Sequence, residues 1–297
     1  MPLNTPLIAS PDRKGQPKLT SAAKFAMILI AMLGWVASMP AAATETRASV
    51  TLEGATISVQ AAPAMAQALL ADVISLDEGE HVLFISIDLN TGWKTYWRQP
   101  GRFGLAPDFD WQASENVASV RVHFPEPLLF EEGSGTSIGY QAPTLWPVVV
   151  RSKNANRPID IHLALNIGLC AELCLPERVE LSASMSDLVG QPDVTMAQIF
   201  TLESNLTANN RPLNDLILEH HGTEISIITD TQNGQGSFAI AEDEQGHHSL
   251  LRSSDDRFYG AIALSGEWRW ETPISRVTVI EPGNRMEVFS NSLQGQR

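Results

Sequence analysis

The chain is poor in cysteine and in basic side chains. Only two of its 297 residues are cysteine, and 20 lysine and arginine residues stand against 34 aspartate and glutamate residues, a formal net charge of −14. Such a chain repels a phosphate backbone, and no basic patch is present, so nucleic-acid binding is excluded. After residue 43 no run of 18 or more apolar residues occurs, which excludes a transmembrane helix there.

One further absence narrows the chemistry. No third thiolate or nearby imidazole completes a tetrahedral zinc site with the cysteines, because His162 lies eight residues, or roughly 26 Å of extended strand, from Cys170. The sequence therefore predicts no cofactor and no resident metal.

The first 43 residues have the order of an export signal. Four basic residues precede an apolar run at 25–36, and small residues follow up to Ala43. A dozen helical residues span roughly 18 Å, less than a bilayer core of about 30 Å. We expect residues 1–43 to be a signal peptide cleaved near Ala43, which places a soluble protein in an oxidising extracytoplasmic compartment. An uncleaved anchor is the alternative.

The remaining chain is predicted to be all-β. Short strands separated by Pro and Gly turns indicate a β-sandwich over residues 44–187. Residues 188–214 are predicted as a helical connector, with Asp193 capping a helix that runs from Val194 to Leu206. Strand patterns return over residues 215–297 and indicate a second, smaller, sandwich-like β domain.

The two cysteines stand three residues apart at the end of a strand pattern. Every second residue from Ile161 to Leu169 is apolar, so Cys170 falls on the opposite face, and Cys174 falls on the polar side of the returning strand. Both thiols are therefore predicted to lie side by side on the solvent face of a hairpin.

Hairpin geometry favours pairing of these thiols. Facing residues have Cα atoms roughly 4.5–5.5 Å apart, within the range that a disulfide accepts. A disulfide across so short a loop stabilises the fold by only about 2 kcal/mol, against about 4.7 kcal/mol for a 100-residue loop. An exposed pair is suited to exchange. The residues favour a redox-active pair and leave a structural disulfide or a metal site open.

Aromatic residues are concentrated in one segment, at Trp93, Tyr96 and Trp97. Two interpretations are open. The segment is an ordinary aromatic cluster of the core at a strand end, or it is a surface that shields or presents the cysteines.

Several segments together resemble the N-terminal periplasmic domain of DsbD-type thiol:disulfide interchange proteins, and especially the ScsB-like branch, a group linked to suppression of copper sensitivity. The resemblance covers about residues 47–187. The matching segments are Gly92–Gly101, Phe124–Pro127, Gly139–Tyr140 and Gly168–Pro176.

This resemblance implies an immunoglobulin-like sandwich in the periplasm, with Cys170 and Cys174 as the catalytic, exchanging pair. It also implies a flexible cap loop, which we expect at residues 130–140. The implied activity is of the protein-disulfide reductase type, and the implied partners are periplasmic thioredoxin-like or disulfide isomerase proteins. Which sulfur is attacked first stays open.

The sequence departs from the full-length family because it contains no membrane domain and no thioredoxin-like C-x-x-C motif. We therefore expect its electrons to come from a separate protein, such as a membrane electron transporter. Two alternative functions stay open. One is a non-catalytic periplasmic binding module with a structural disulfide, and the other is Cu(I) handling by the two thiolates in copper tolerance.

Overall fold

The computed structural model describes twelve ranges of the chain: 47–101, 103–132, 135–189, 194–206, 208–211, 216–221, 224–228, 237–243, 248–254, 257–261, 274–281 and 285–290. The predicted signal peptide lies outside the described residues. Among the described residues, no helix combines the length and the apolar character needed to cross a membrane.

Eleven strands form two antiparallel sheets. The first sheet has the order β1-β2-β3-β9-β6, and the second has the order β11-β10-β4-β8-β7, with β5 also paired to β10. The strands are β1 Ser49–Thr51, β2 Ala55–Ala61, β3 Glu80–Leu89, β4 Lys94–Tyr96, β5 Asp108–Asp110, β6 Val117–Val122, β7 Leu128–Glu132, β8 Gly135–Tyr140, β9 Thr144–Ser152, β10 Asp160–Cys170 and β11 Cys174–Ser184.

The inner faces of the two sheets form one apolar core. Along β10 the odd-numbered residues from Ile161 to Leu169 are all buried in this core, as their alternation predicted. Trp97 and Trp146 are the largest side chains in it. The predicted all-β fold with an immunoglobulin-like sandwich is confirmed.

Two helices, Ala64–Leu70 and Met196–Leu206, cover the outer face of the first sheet. A third helix, Met185–Leu188, buries Leu188 in the sandwich core instead. The helix Met196–Leu206 buries Ile199, Leu202 and Leu206 in a second apolar cluster with residues of β3 and β9. The N–H of Gln198 donates to the Thr195 hydroxyl, and the N–H of Thr195 donates to the Gln198 side chain, which caps this helix. The predicted cap Asp193 lies outside the described residues.

Eight C-terminal strands form a third sheet of order β12-β19-β18-β15-β16-β17-β14-β13. The strands are β12 Ala208–Arg211, β13 Ile217–His221, β14 Glu224–Ile228, β15 Phe238–Asp243, β16 His248–Ser254, β17 Arg257–Ala261, β18 Ile274–Glu281 and β19 Arg285–Ser290. Phe238, Ile240 and Ile280 join the sandwich core, whereas Ala239 and Val279 belong to a separate cluster. The division into domains at residues 187 and 214 stays a prediction.

A buried ionic cluster links three strands of the first sheet, β3, β9 and β6. Glu80 begins β3 with a fully buried side chain, and both of its oxygens accept hydrogen bonds from Arg121 of β6, at 2.7 and 3.0 Å. Arg151 of β9 lies 3.2 Å from the same carboxylate. The hydrogen bonding from Arg121 outweighs the burial penalty and lowers the pKa of Glu80 from 4.5 to about 2.

We predict that Glu80→Gln lowers the free energy of unfolding by roughly 2–3 kcal/mol at neutral pH. The folded-state pKa lies below the unfolded one, so the carboxylate stabilises the fold fully above about pH 4.5 and progressively less as the pH falls towards 2. The difference between variant and wild type in urea unfolding should therefore shrink on acidification. Glu78→Gln removes an exposed neighbouring carboxylate as the control, and equal losses in both variants would contradict the assignment.

Candidate redox site

The two cysteines close the hairpin of β10 and β11. They face each other in the register at the end of the two strands, and a disulfide joins them. Their Cα atoms lie 4.1 Å apart, slightly closer than expected, and the N–H of Ala171 donates to the carbonyl of Leu173 within the three-residue turn. The predicted hairpin and the predicted pairing are confirmed.

The prediction that both sulfurs face solvent is wrong for Cys170. Cys174 is exposed, whereas Cys170 is fully buried. The reason lies at Gly168, on the same outer face of β10. A Cβ atom at Gly168 would lie 2.8 Å from the side chain of Leu105 and 3.0 Å from the ring of Tyr96. Because glycine has no side chain, both groups pack on the strand there, and Tyr96 continues onto Cys170.

Tyr96 contacts both sulfurs through its hydroxyl. The Oη atom lies 2.8 Å from Sγ of Cys170 and 3.3 Å from Sγ of Cys174. A disulfide sulfur carries no proton, so the hydroxyl is the donor, and its single proton serves one sulfur at a time. Burial raises the pKa of Tyr96, which keeps the phenol protonated at neutral pH. The buried sulfur therefore has a permanent hydrogen-bond donor beside it.

Tyr96 is positioned by the strands on either side of β4. Towards β10, the Thr95 hydroxyl donates to the carbonyl of Gly168 at 2.9 Å, and Lys94 faces Cys170 in the register. Towards β8, Tyr96 faces Gly139, where an added Cβ would lie only 2.0 Å from the carbonyl oxygen of Thr95. The backbone carrying the hydroxyl is thus held on both edges.

The predicted cap segment, residues 130–140, lies next to β4 as the hairpin of β7 and β8. Its Phe130 ring lies 5.5 Å from the ammonium of Lys94, and the Phe103 ring packs against Gly135. The group that directly covers Cys170 is nevertheless Tyr96. Both interpretations of the aromatic segment apply, since Trp97 belongs to the core and Tyr96 shields the cysteines.

Comparison with known proteins agrees with this geometry. Residues 63–186 match the family model for the N-terminal domain of the thiol:disulfide interchange protein DsbD. This part of the chain, less than half of its length, is therefore similar to the DsbD N-terminal family. A search of curated proteins found no match.

The fold is also similar to the crystal structure of the N-terminal periplasmic domain of ScsB from Proteus mirabilis, with a TM-score of 0.57 and 17% identity. The match covers 82% of this chain and 98% of the ScsB domain, so it extends beyond the DsbD-type region into the C-terminal strands. At this identity the likeness is one of fold. The DsbD N-terminal match and the disulfide together support thiol–disulfide exchange as the general activity.

Within the described ranges, no group of three or more His, Cys, Asp or Glu side chains lies close enough together to hold a metal ion. Tyr96 is the contact residue that sequence reasoning did not single out. The sequence indicated Tyr96 only as one of three residues of the aromatic segment, because the neighbour that decides its role, Gly168, lies more than 70 residues away along the chain.

We predict that Tyr96→Phe slows reduction of the disulfide by dithiothreitol roughly 2- to 12-fold, the effect of losing one hydrogen bond to the departing thiolate. Alkylation of released thiols over time measures the rate. Tyr140→Phe is the matched control, because the Tyr140 hydroxyl is also buried but donates to the carbonyl of Pro125. Equal rates for Tyr96→Phe and wild type would show that the contact has no role in exchange.

Proposed function

We propose that this chain is a periplasmic thiol–disulfide relay in which Cys170 and Cys174 form the catalytic pair. One observation carries the proposal: the disulfide is asymmetric. The Cys174 side is open to solvent, whereas the Cys170 sulfur is buried with a phenol hydroxyl 2.8 Å away. The exposed sulfur of Cys174 is therefore suited to attack by a partner, and the buried sulfur of Cys170 is suited to depart as a thiolate.

The reduction step follows from this asymmetry. A partner thiolate attacks Sγ of Cys174, a new disulfide forms between them, and the bond to Cys170 breaks. The electron pair leaves with Sγ of Cys170, where the Tyr96 hydroxyl donates a hydrogen bond to the new thiolate. The second thiolate of the same partner then attacks the partner sulfur of the mixed disulfide, and a disulfide forms within the partner. Cys174 departs and takes up a proton, so two electrons have passed to the pair.

Passing the electrons on reverses these steps. The exposed Cys174 thiolate attacks a substrate disulfide, and Cys170 resolves the mixed disulfide from within the site. Similarity to the DsbD N-terminal family supports thioredoxin-like or disulfide isomerase proteins as the partners, with a separate membrane transporter as the electron source. The side chain of Leu173 supports docking at this end of the hairpin, because it is 70% exposed directly beside the accessible sulfur.

A structural disulfide in a binding module is the second candidate, and the complete burial of Cys170 favours it, since buried sulfurs are inert. The stabilisation expected from so short a loop, about 2 kcal/mol, argues against a purely structural purpose. The two candidates differ in the reduction potential of the pair.

We predict a reduction potential between about −270 and −150 mV, the range of proteins that exchange disulfides with glutathione-like partners. Equilibration of the mature protein against glutathione, followed by thiol alkylation, measures it. A value well below about −300 mV, typical of structural disulfides, would assign the disulfide a structural role and favour the binding module.

We also predict that the thiol of Cys174 in Cys170→Ser reacts with an aromatic disulfide at least about tenfold faster than the thiol of Cys170 in Cys174→Ser, because reactivity follows exposure. The colour of the released aromatic thiolate measures both rates. Reaction of the unfolded variants in guanidinium provides the control, since both thiols are then equally exposed. A faster Cys170 would reverse the assigned order of attack.

A further inference from the structure

The C-terminal sheet contacts the segment that follows β4 through two consecutive residues, Arg98 and Gln99. Arg98 follows Tyr96 by two residues, and its guanidinium donates two hydrogen bonds to the carboxylate of Glu242 on β15, at 2.5 and 2.7 Å. It also donates to the Thr278 hydroxyl of β18 at 3.2 Å, and the side chain of Gln99 donates to Glu242 at 3.0 Å. The carboxylate therefore receives three hydrogen bonds from two consecutive residues.

This ion pair is largely withdrawn from water. The side chain of Glu242 is 7% exposed and that of Arg98 is 24% exposed. Burial alone would raise the pKa of Glu242, but the hydrogen bond and charge of Arg98, together with the charge of Arg276, lower it overall. The carboxylate is thus ionised at neutral pH, and its two parallel hydrogen bonds fix the direction of the guanidinium.

The residue between Tyr96 and Arg98 transmits this constraint. Trp97 is 1% exposed, and its backbone N–H donates to the carbonyl of Ile138 at 3.0 Å. The guanidinium of Arg98 lies 4.3 Å above the Trp97 ring. Three consecutive residues are therefore held by packing and hydrogen bonds, and a shift of Arg98 reaches the Tyr96 hydroxyl over two peptide units.

A second contact joins the C-terminal sheet to the hairpin of β7 and β8, which lies next to β4. Arg252 of β16 donates to the carboxylate of Glu131 at 2.5 Å and to the Thr136 hydroxyl at 2.7 Å. This pair is exposed and contributes little stability by itself. It shows, however, that the C-terminal sheet contacts both the segment after β4 and the neighbouring hairpin of β7 and β8.

We propose that Glu242 is a positioning residue for the redox site. Through Arg98 it holds Tyr96 so that the phenol hydroxyl stays against the sulfur of Cys170, and the C-terminal sheet thereby sets how fast the disulfide is reduced. This inference rests on the proposed thiol–disulfide exchange and gives the C-terminal sheet a part in it.

A double-mutant cycle tests the coupling. Glu242→Gln, Tyr96→Phe and the double variant are reduced with dithiothreitol, and alkylation reports the rate for each. Glu242→Gln is expected to slow reduction about threefold or more, within the range for weakening one hydrogen bond. In the Tyr96→Phe background the same substitution should leave the rate unchanged, because the hydroxyl that it positions is gone.

Two further variants separate positioning from loss of stability. Glu80→Gln breaks a buried Glu–Arg pair of the same kind on the first sheet, so it should lower stability without changing the rate. Arg98→Lys keeps the charge but loses the two-pronged hydrogen bonding, and it should slow reduction as Glu242→Gln does, which covers the case in which Glu242→Gln does not fold.

Four outcomes would overturn the positioning role. Additive slowing in the double variant, a wild-type rate in both Glu242→Gln and Arg98→Lys, or equal slowing by Glu80→Gln would overturn the positioning role. A wild-type rate in Tyr96→Phe would overturn it too, since Glu242 is proposed to act through Tyr96. Coupled rates together with a reduction potential in the structural range would support the positioning role while removing the relay.

Discussion

The site depends on one packing constraint, the direct contact of the Tyr96 ring with a strand that has no side chain at Gly168. This contact brings the phenol hydroxyl to 2.8 Å from the sulfur of Cys170 and removes that sulfur from solvent. A Cβ atom at position 168 would clash with the side chain of Leu105 at 2.8 Å and press against the Tyr96 ring at 3.0 Å. The chemical difference between the two cysteines therefore follows from an absent Cβ atom two residues before the first of them.

Burial and hydrogen bonding act in opposite directions on Cys170. Removal from water disfavours a thiolate, whereas a neutral phenol donor favours it. Burial keeps Tyr96 protonated, so the same desolvation that penalises the thiolate also preserves its donor. A disulfide in this setting is shielded from solvent at Cys170 and accessible at Cys174. This arrangement favours reaction with a protein that docks at the hairpin end.

Much of the fold and part of the site were predictable from the sequence, because they depend on local periodicity. The alternation along Ile161–Leu169 predicted a strand and its buried face, and the short spacing of the cysteines predicted their pairing. Alternation tells which residues share a face but not what covers that face. The contact that covers Cys170 comes from Tyr96, which lies 74 residues earlier in the chain. No local pattern carries that information.

The ion pair of Arg98 and Glu242 could not be predicted from the sequence either, because 144 residues separate its partners. Among the described residues, two buried glutamates pair with arginine in a similar geometry, yet they lie in different places. The pair at Glu80 joins β3 to β6 across β9, within one sheet. The pair at Glu242 joins a different sheet to the segment that carries Tyr96, and Phe238, Ile240 and Ile280 extend the sandwich core beside it. An ion pair inside one sheet adds to stability, whereas an ion pair between sheets also fixes their relative position. Because Tyr96 lies two residues from Arg98, the position of the C-terminal sheet and the environment of the disulfide depend on each other.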